Sequence, residues 1–178
     1  MYFAALLART EDGWEASDTE LDDVETLSDL TELAREASVD EDTVVVYMEQ
    51  EDAWFAIVRV EGEDDPRIYV SDGAAAARSS YGEILTKEIL GTDRDDDADD
   101  LDALDLDGTE DGEPEAEDDG DDDGGAAADA APSGPVGDRL VLDDLGVSER
   151  ALRSLEPGEA LNEIADVLGA AEVLETVR

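Results

Sequence analysis

The stretch "TVVVYMEQEDAWFAIVRV", residues 43–60, decides the fold. Two β-branched and aromatic runs, 43–50 and 53–60, flank the short polar turn Glu51-Asp52. Runs of that length and composition on either side of a tight polar turn make a β-hairpin. A hairpin needs further strands and a layer to cover its apolar face.

Both are found on either side of it. Upstream, residues 2–9 read as a further apolar strand. Glu11-Asp12-Gly13 is a hairpin signal, and "WEAS" from Trp14 is the return strand. Leu27, Leu30, Leu33, Ala34 and Ala37 then fall on one face of a helix. Thr26 and Asp29 resemble a capping box at its start, with Asp where Glu or Gln is usual. Downstream, "RIYV" after Pro66 adds a strand. Ser71-Asp72 offers an N-cap for a helix over "GAAAARSS". Tyr81-Gly82 is expected to interrupt it, and "EILTKEIL" to form one more short helix stopping at Gly91. The class is α+β: an antiparallel sheet with helices on one face.

Composition changes sharply after this segment. Residues 92–138 hold about twenty acids, one basic residue (Arg94) and no aromatic. Such a segment cannot bury enough apolar surface to offset the ordering entropy, about 1–2 kcal/mol per residue. It is expected to be a disordered acidic linker. Residues 139–178 are expected to form a small all-helical C-terminal module. Gly146 and Gly169 serve as helix stops, Pro157-Gly158 as a turn, and Leu161, Ile164, Ala165 and Leu168 as an apolar stripe. About 40 residues is the lower limit for folding alone, so the module needs a surface to pack on. That surface is the first domain, a second copy of the chain, or another protein. The expected division is therefore 1–91, 92–138 and 139–178.

The charge restricts function. With 54 acids and 11 basic residues the formal net charge is −43, which repels nucleic acid and anionic lipid and attracts basic partners. The chain has no Cys and no His. Thiol chemistry, disulfides, the usual neutral-pH base and the commonest zinc ligand are all excluded. No cofactor is expected. "MYFAALLART" lacks the basic region and cleavage site of a signal peptide, and no run approaches the roughly 18 apolar residues of a membrane span. A cytoplasmic protein is expected. Part of the acidity also fits a salt-adapted proteome.

Several tempting sites fail on inspection. Asp119, Asp121, Asp123 and Gly124 match half of a calcium loop, but its twelfth position is Ala130 instead of Glu. Asp105, Asp107 and Gly108 fail similarly, with Ala103 first and Pro114 twelfth. A helix-turn-helix in the third segment would carry a net acidic recognition helix. The acidic tract imitating nucleic-acid phosphates is an alternative, although its acids sit among Gly and Ala instead of on rigid elements. An enzyme using carboxylates would need acids converging in a pocket, and those of the first segment fall in turns. Trp14 and Trp54 read as core or sheet-face residues. The most distinctive stretch is "YVSDGAAAARSSYGE", residues 69–83. Its small side chains permit close backbone approach. Ser71, Asp72, Arg78, Ser79, Ser80 and Tyr81 are the candidate protein-interaction residues, set against a plain reading in which they complete local hydrogen bonds.

"MYFAALLARTEDGW", "TLSDLTELAREAS", "EDAWFAIVRVEG", "DPRIYVSD" and "AAARSSYGEIL" together resemble the bacterial tRNA adenosine deaminase-associated proteins. "EALNEIADVLGAAEVLETVR" resembles the end of that family, with a shorter helix before it. The resemblance implies an accessory role beside a tRNA adenosine deaminase. The deaminase itself needs His and Cys zinc ligands, which this chain lacks. The expected function is a non-catalytic accessory protein, with a basic-surfaced protein as partner. No direct nucleic-acid or membrane contact is expected, and a homo-oligomer stays open.

Overall fold

A computed structural model of the chain describes residues 2–18, 21–38, 42–50, 53–101 and 131–177, the side chains of 92–101 and 177 excepted. The hairpin that opened the sequence reading is present. Strands β3 (Val44–Gln50) and β4 (Trp54–Val60) pair antiparallel from Gln50↔Trp54 to Val44↔Val60. Its turn residues Glu51 and Asp52 lie outside the described residues. Strand β1 (Tyr2–Thr10) pairs with β3 and with β2 (Gly13–Asp18), and β5 (Arg67–Val70) pairs with β4. A two-residue strand β6 (Val136–Gly137) closes the far edge. The order is β2-β1-β3-β4-β5-β6, and every pairing is antiparallel.

Strand periodicity of two divides the core into two layers. Ala4, Leu6 and Ala8 of β1, Val44, Val46 and Met48 of β3, and Trp54, Ala56, Val58 and Val60 of β4 face one side. Helices α1 (Leu27–Ala37), α2 (Gly73–Ala76) and α3 (Ser80–Leu101) belong to that side, with Leu30, Ala34, Ala76, Leu85 and Ile89 in the same cluster. The helices of the first segment thus share one face, as expected. Ala5, Leu7, Val45, Tyr47, Phe55, Ile57 and Tyr69 face the other way. There they meet a 3-10 turn (Asp143–Leu145), α4 (Glu149–Ser154), α5 (Ala160–Leu168) and α6 (Ala171–Val177). The surface needed by the C-terminal helices is therefore the second face of the same sheet. Leu142, Leu152, Leu161, Ile164 and Leu174 are each 2 % exposed or less. Each contributes up to roughly 1.5–3 kcal/mol by leaving water, so apolar burial is the main force holding these helices down.

The capping box at α1 is present: the Thr26 hydroxyl accepts the Asp29 N–H, and Asp29 accepts the Thr26 N–H. The Thr26 hydroxyl and the backbone N–H groups of Thr26 and Glu25 hold the Asp29 carboxyl below its ordinary range. Gly146 and Gly169 end their helices at positive φ, as the sequence suggested.

Two expectations about the third helical stretch need correction. The break falls at 77–79 instead of Tyr81-Gly82, because the Ser79 hydroxyl accepts the Gly82 N–H and starts α3 as an N-cap would. The helix also continues past Gly91 to Leu101. Gly inside a helix costs only about 1 kcal/mol relative to Ala, too little to end one by itself. Residues 131–138, whose composition matched the acidic tract, supply β6, while residues 102–130 of the expected linker and both calcium-like loops lie outside the described residues.

The two glycines of α3 play different roles. A Cβ on Gly82 would overlap the Ala76 carbonyl, whereas one on Gly91 meets nothing. Gly82→Ala is expected to cost about 1–3 kcal/mol by forcing α2 and α3 apart. Gly91→Ala is expected to add up to about 1 kcal/mol of helix stability. Urea midpoints of the two variants check both signs.

Candidate interaction surface

The distinctive stretch after β5 divides into builders and exposed groups. Ser71 extends the β4–β5 pairing: its N–H donates to the Phe55 carbonyl and its hydroxyl accepts the Phe55 N–H, both at 2.9 Å. Asp72 caps α2 by accepting the Ala75 N–H at 2.9 Å. Ser79 is buried, and its hydroxyl donates to the Ala76 carbonyl at 2.9 Å. The Tyr81 hydroxyl donates to the Leu21 carbonyl at 3.0 Å. Four of the six candidates therefore hold the corner together, in agreement with the plain reading of their chemistry.

Arg78 and Ser80 are exposed, and among the described residues Arg78 has no ion-pair partner. Tyr81 joins them to a residue the sequence reading passed over. Its ring meets Tyr2 edge-on, centroids 5.3 Å apart at 85°, and Tyr2 is 43 % exposed. Tyr2, Tyr81 and Arg78 are the residue types that carry most energy in protein interfaces. The T-shaped pair holds one aromatic ring steady at the surface.

The second finding missed by the sequence is Arg59. It lies on β4 on the same face as Phe55 and Ile57 and is 4 % exposed. Nη1 donates to Asp144 Oδ1 at 2.5 Å and to the Val141 carbonyl at 2.9 Å. Nη2 donates to Asp144 Oδ2 at 2.8 Å and to Glu61 Oε1 at 2.6 Å. Thr43 steadies that Glu61 oxygen at 3.1 Å. The Arg59 guanidinium hydrogen bonds draw the Asp144 carboxyl below its ordinary range, and Asp144 in turn raises Arg59. Arg67 repeats the arrangement at the next strand, donating to Asp138 Oδ2 at 2.5 Å and to the Leu140 carbonyl at 3.1 Å. The signal available in the sequence was a lone Arg inside an otherwise apolar strand run, which needs an acid from another element.

Contacts of this kind take up four of the six basic residues of the first segment. Arg35 is committed to the Gly62 carbonyl, Arg59 and Arg67 to the C-terminal helices' approach, and Lys87 to Glu83 at 2.7 Å. With 54 acids to 11 basic residues, acids far outnumber the cations that could pair with them, so the net field of the chain is negative. One groove, of about 590 Å³, is lined by Asp65, Arg67, Glu88 and Asp138 over Leu27, Ile68 and Ile89, and so mixes both charges. Among the described residues no group of three or more acids is placed to hold a metal ion, and no helix is long and apolar enough to cross a membrane.

No curated protein and no solved structure matches the chain. One family model does, over residues 2–171, from β1 through α5 to the first residue of α6, including the Arg59–Asp144 pair. The chain belongs to the Rv3753c-like tRNA adenosine deaminase-associated protein family.

Proposed function

We propose that this chain is a non-catalytic, cytoplasmic accessory protein that binds a tRNA adenosine deaminase through charge complementarity. The family description supplies the association; the single observation that carries the mechanism is the excess of 54 acids over 11 basic residues, widened by the commitment of Arg35, Arg59 and Arg67 to contacts within the fold. An enzyme that handles tRNA presents a basic surface. An acidic companion is steered to it at long range and competes there with RNA for the same groups. Tyr2, Arg78, Ser80 and Tyr81 form the contact in this reading. Segments 1–91 and 139–178 act through their shared sheet, and 92–138 joins them and adds charge.

Mixing the chain with a tRNA adenosine deaminase from the same organism tests this. A complex is expected at about 50 mM NaCl, weakening at least tenfold by about 500 mM as screening shortens the field. Tyr2→Ala is expected to weaken it by about 1–2 kcal/mol, five- to thirtyfold. No complex at low salt overturns the proposal. The alternative, an acidic tract acting as nucleic-acid mimic, is separated by deletion. Since 92–101 are helical and 136–137 form β6, the deletion is confined to 102–130. An accessory protein keeps most of its affinity; a mimic loses it.

A further inference from the structure

The two edges of the sheet are built differently. At one edge β6 is only two residues long, follows Pro135, and ends at Gly137 with φ +88°. Short strands, Pro and turns are how proteins blunt an edge against further pairing. At the other edge β2 runs six residues without Pro and pairs only with β1, from Thr10↔Gly13 to Ala5↔Asp18. Among the described residues nothing pairs with its outer side.

The side chains along β2 define what fits there. Trp14 and Ala16 pair with Arg9 and Leu7 and are half-buried on the face that carries α6. Glu15 lies on the opposite face and is exposed, as is Asp18 at the strand's end. A second copy is disfavoured: full antiparallel pairing of two β2 strands sets Glu15 of each copy diagonal to Asp18 of the other, and like charges in that relation destabilise a sheet. A segment with opposite charges gains from the same geometry.

We infer that the outer edge of β2 is a strand-addition site for an extended basic segment of a protein partner. All pairings in this sheet are antiparallel, so the added strand is taken as antiparallel too. Residues directly opposite share a face. The segment therefore carries Lys or Arg opposite Asp18 and Glu15, and apolar side chains opposite Ala16 and Trp14. Read from its N-terminus, that is basic, free, apolar, basic, apolar. Backbone hydrogen bonds supply affinity and the alternating side chains supply selectivity, as in other strand-addition complexes. The basic character of the partner rests on the function proposed above; the open edge does not.

The probe is the capped hexapeptide Lys-Thr-Val-Lys-Val-Thr, titrated into the full chain at low salt. Two control peptides are used: one with both Lys replaced by Glu, and one with the same six residues in the order Val-Val-Thr-Thr-Lys-Lys. Binding is expected to be at least tenfold tighter for the probe than for either control, with slowed amide exchange confined to β2. The double variant Glu15→Lys, Asp18→Lys is expected to reverse the preference toward the Glu peptide. Both positions are exposed, and circular dichroism confirms the fold. Equal binding of probe and reordered peptide, or exchange unchanged along β2, overturns the inference. The deaminase assay keeps the two proposals apart. A double variant that still binds deaminase at full strength sinks strand addition alone. Peptide binding without deaminase binding sinks the accessory role alone.

Discussion

Asp144→Ala is expected to destabilise the fold by about 3 kcal/mol, and Arg59→Met by only about 1–2 kcal/mol. The asymmetry follows from which charge is out of water. The Arg59 side chain is 5 % exposed, whereas Asp144 and Glu61 are 58 % and 39 % exposed. Removing Asp144 leaves a buried cation with Glu61 and the Val141 carbonyl as its remaining partners. Removing the cation lets both carboxylates rehydrate, and the main loss is the Val141 carbonyl's hydrogen bond. The double variant should cost little more than Arg59→Met alone, giving a coupling energy of about 2–3 kcal/mol in a double-mutant cycle. Additive single costs would show that the clamp contributes nothing as a pair.

The pH dependence has a definite sign. Asp144 is held below its ordinary value in the fold, so its contribution is complete above about pH 4, the unfolded aspartate value, and is lost as pH falls through the lower folded value. The stability difference between the natural chain and Asp144→Asn should therefore shrink below about pH 4. Relief of the general acid repulsion is common to both proteins and cancels in that difference. A difference that stays constant, or widens in acid, would mean Asp144 is not held by Arg59.

What the sequence made legible was local. The two hairpins, the capping box at Thr26 and the stops at Gly146 and Gly169 each depend on residues within a few positions of one another. The second helical layer depends on contacts some 80 residues apart, such as Arg59 to Val141 and Asp144. A clue to it was nevertheless present. "VVVYM" and "WFAIV" do not alternate polar with apolar, and a strand apolar on both sides must be covered on both sides. The C-terminal stripe of Leu161, Ile164 and Ala165 was the cover. Candidate residues after β5 were harder to rank, because Ser, Asp and Tyr serve equally well as caps and as contacts. Only coordinates separate Ser79, buried under its own turn, from Ser80, exposed beside it. Tyr2 escaped notice because it sits inside an apolar strand run, where its exposure depends on where α3 ends up.

Added salt should stabilise this protein, raising its thermal midpoint by roughly 5–15 °C between about 0.05 M and 2 M NaCl. Two effects oppose each other. Screening weakens favourable pairs, but those on the surface, such as Lys87–Glu83, are worth at most about 1 kcal/mol each. In the clamp the Arg59 guanidinium is buried although its carboxylate partners are exposed, so this pairing is screened less than one between two exposed groups. Screening also weakens repulsion, and here 54 acids face 11 basic residues, four of which are committed within the first segment. Two carboxylates 7 Å apart in water repel by about 0.6 kcal/mol, so a few unbalanced neighbours exceed any one surface pair. The unfolded chain is also self-repelling, which leaves a net gain of several kcal/mol instead of tens. Screening saturates early, whereas strengthening of apolar burial by salt continues to high concentration. Most of the rise should therefore come below about 0.5 M, where the Debye length has already fallen to roughly 4 Å. A midpoint that is flat there and climbs only above it would assign the effect to apolar burial, and a falling midpoint would mean that paired charges outweigh the unbalanced ones.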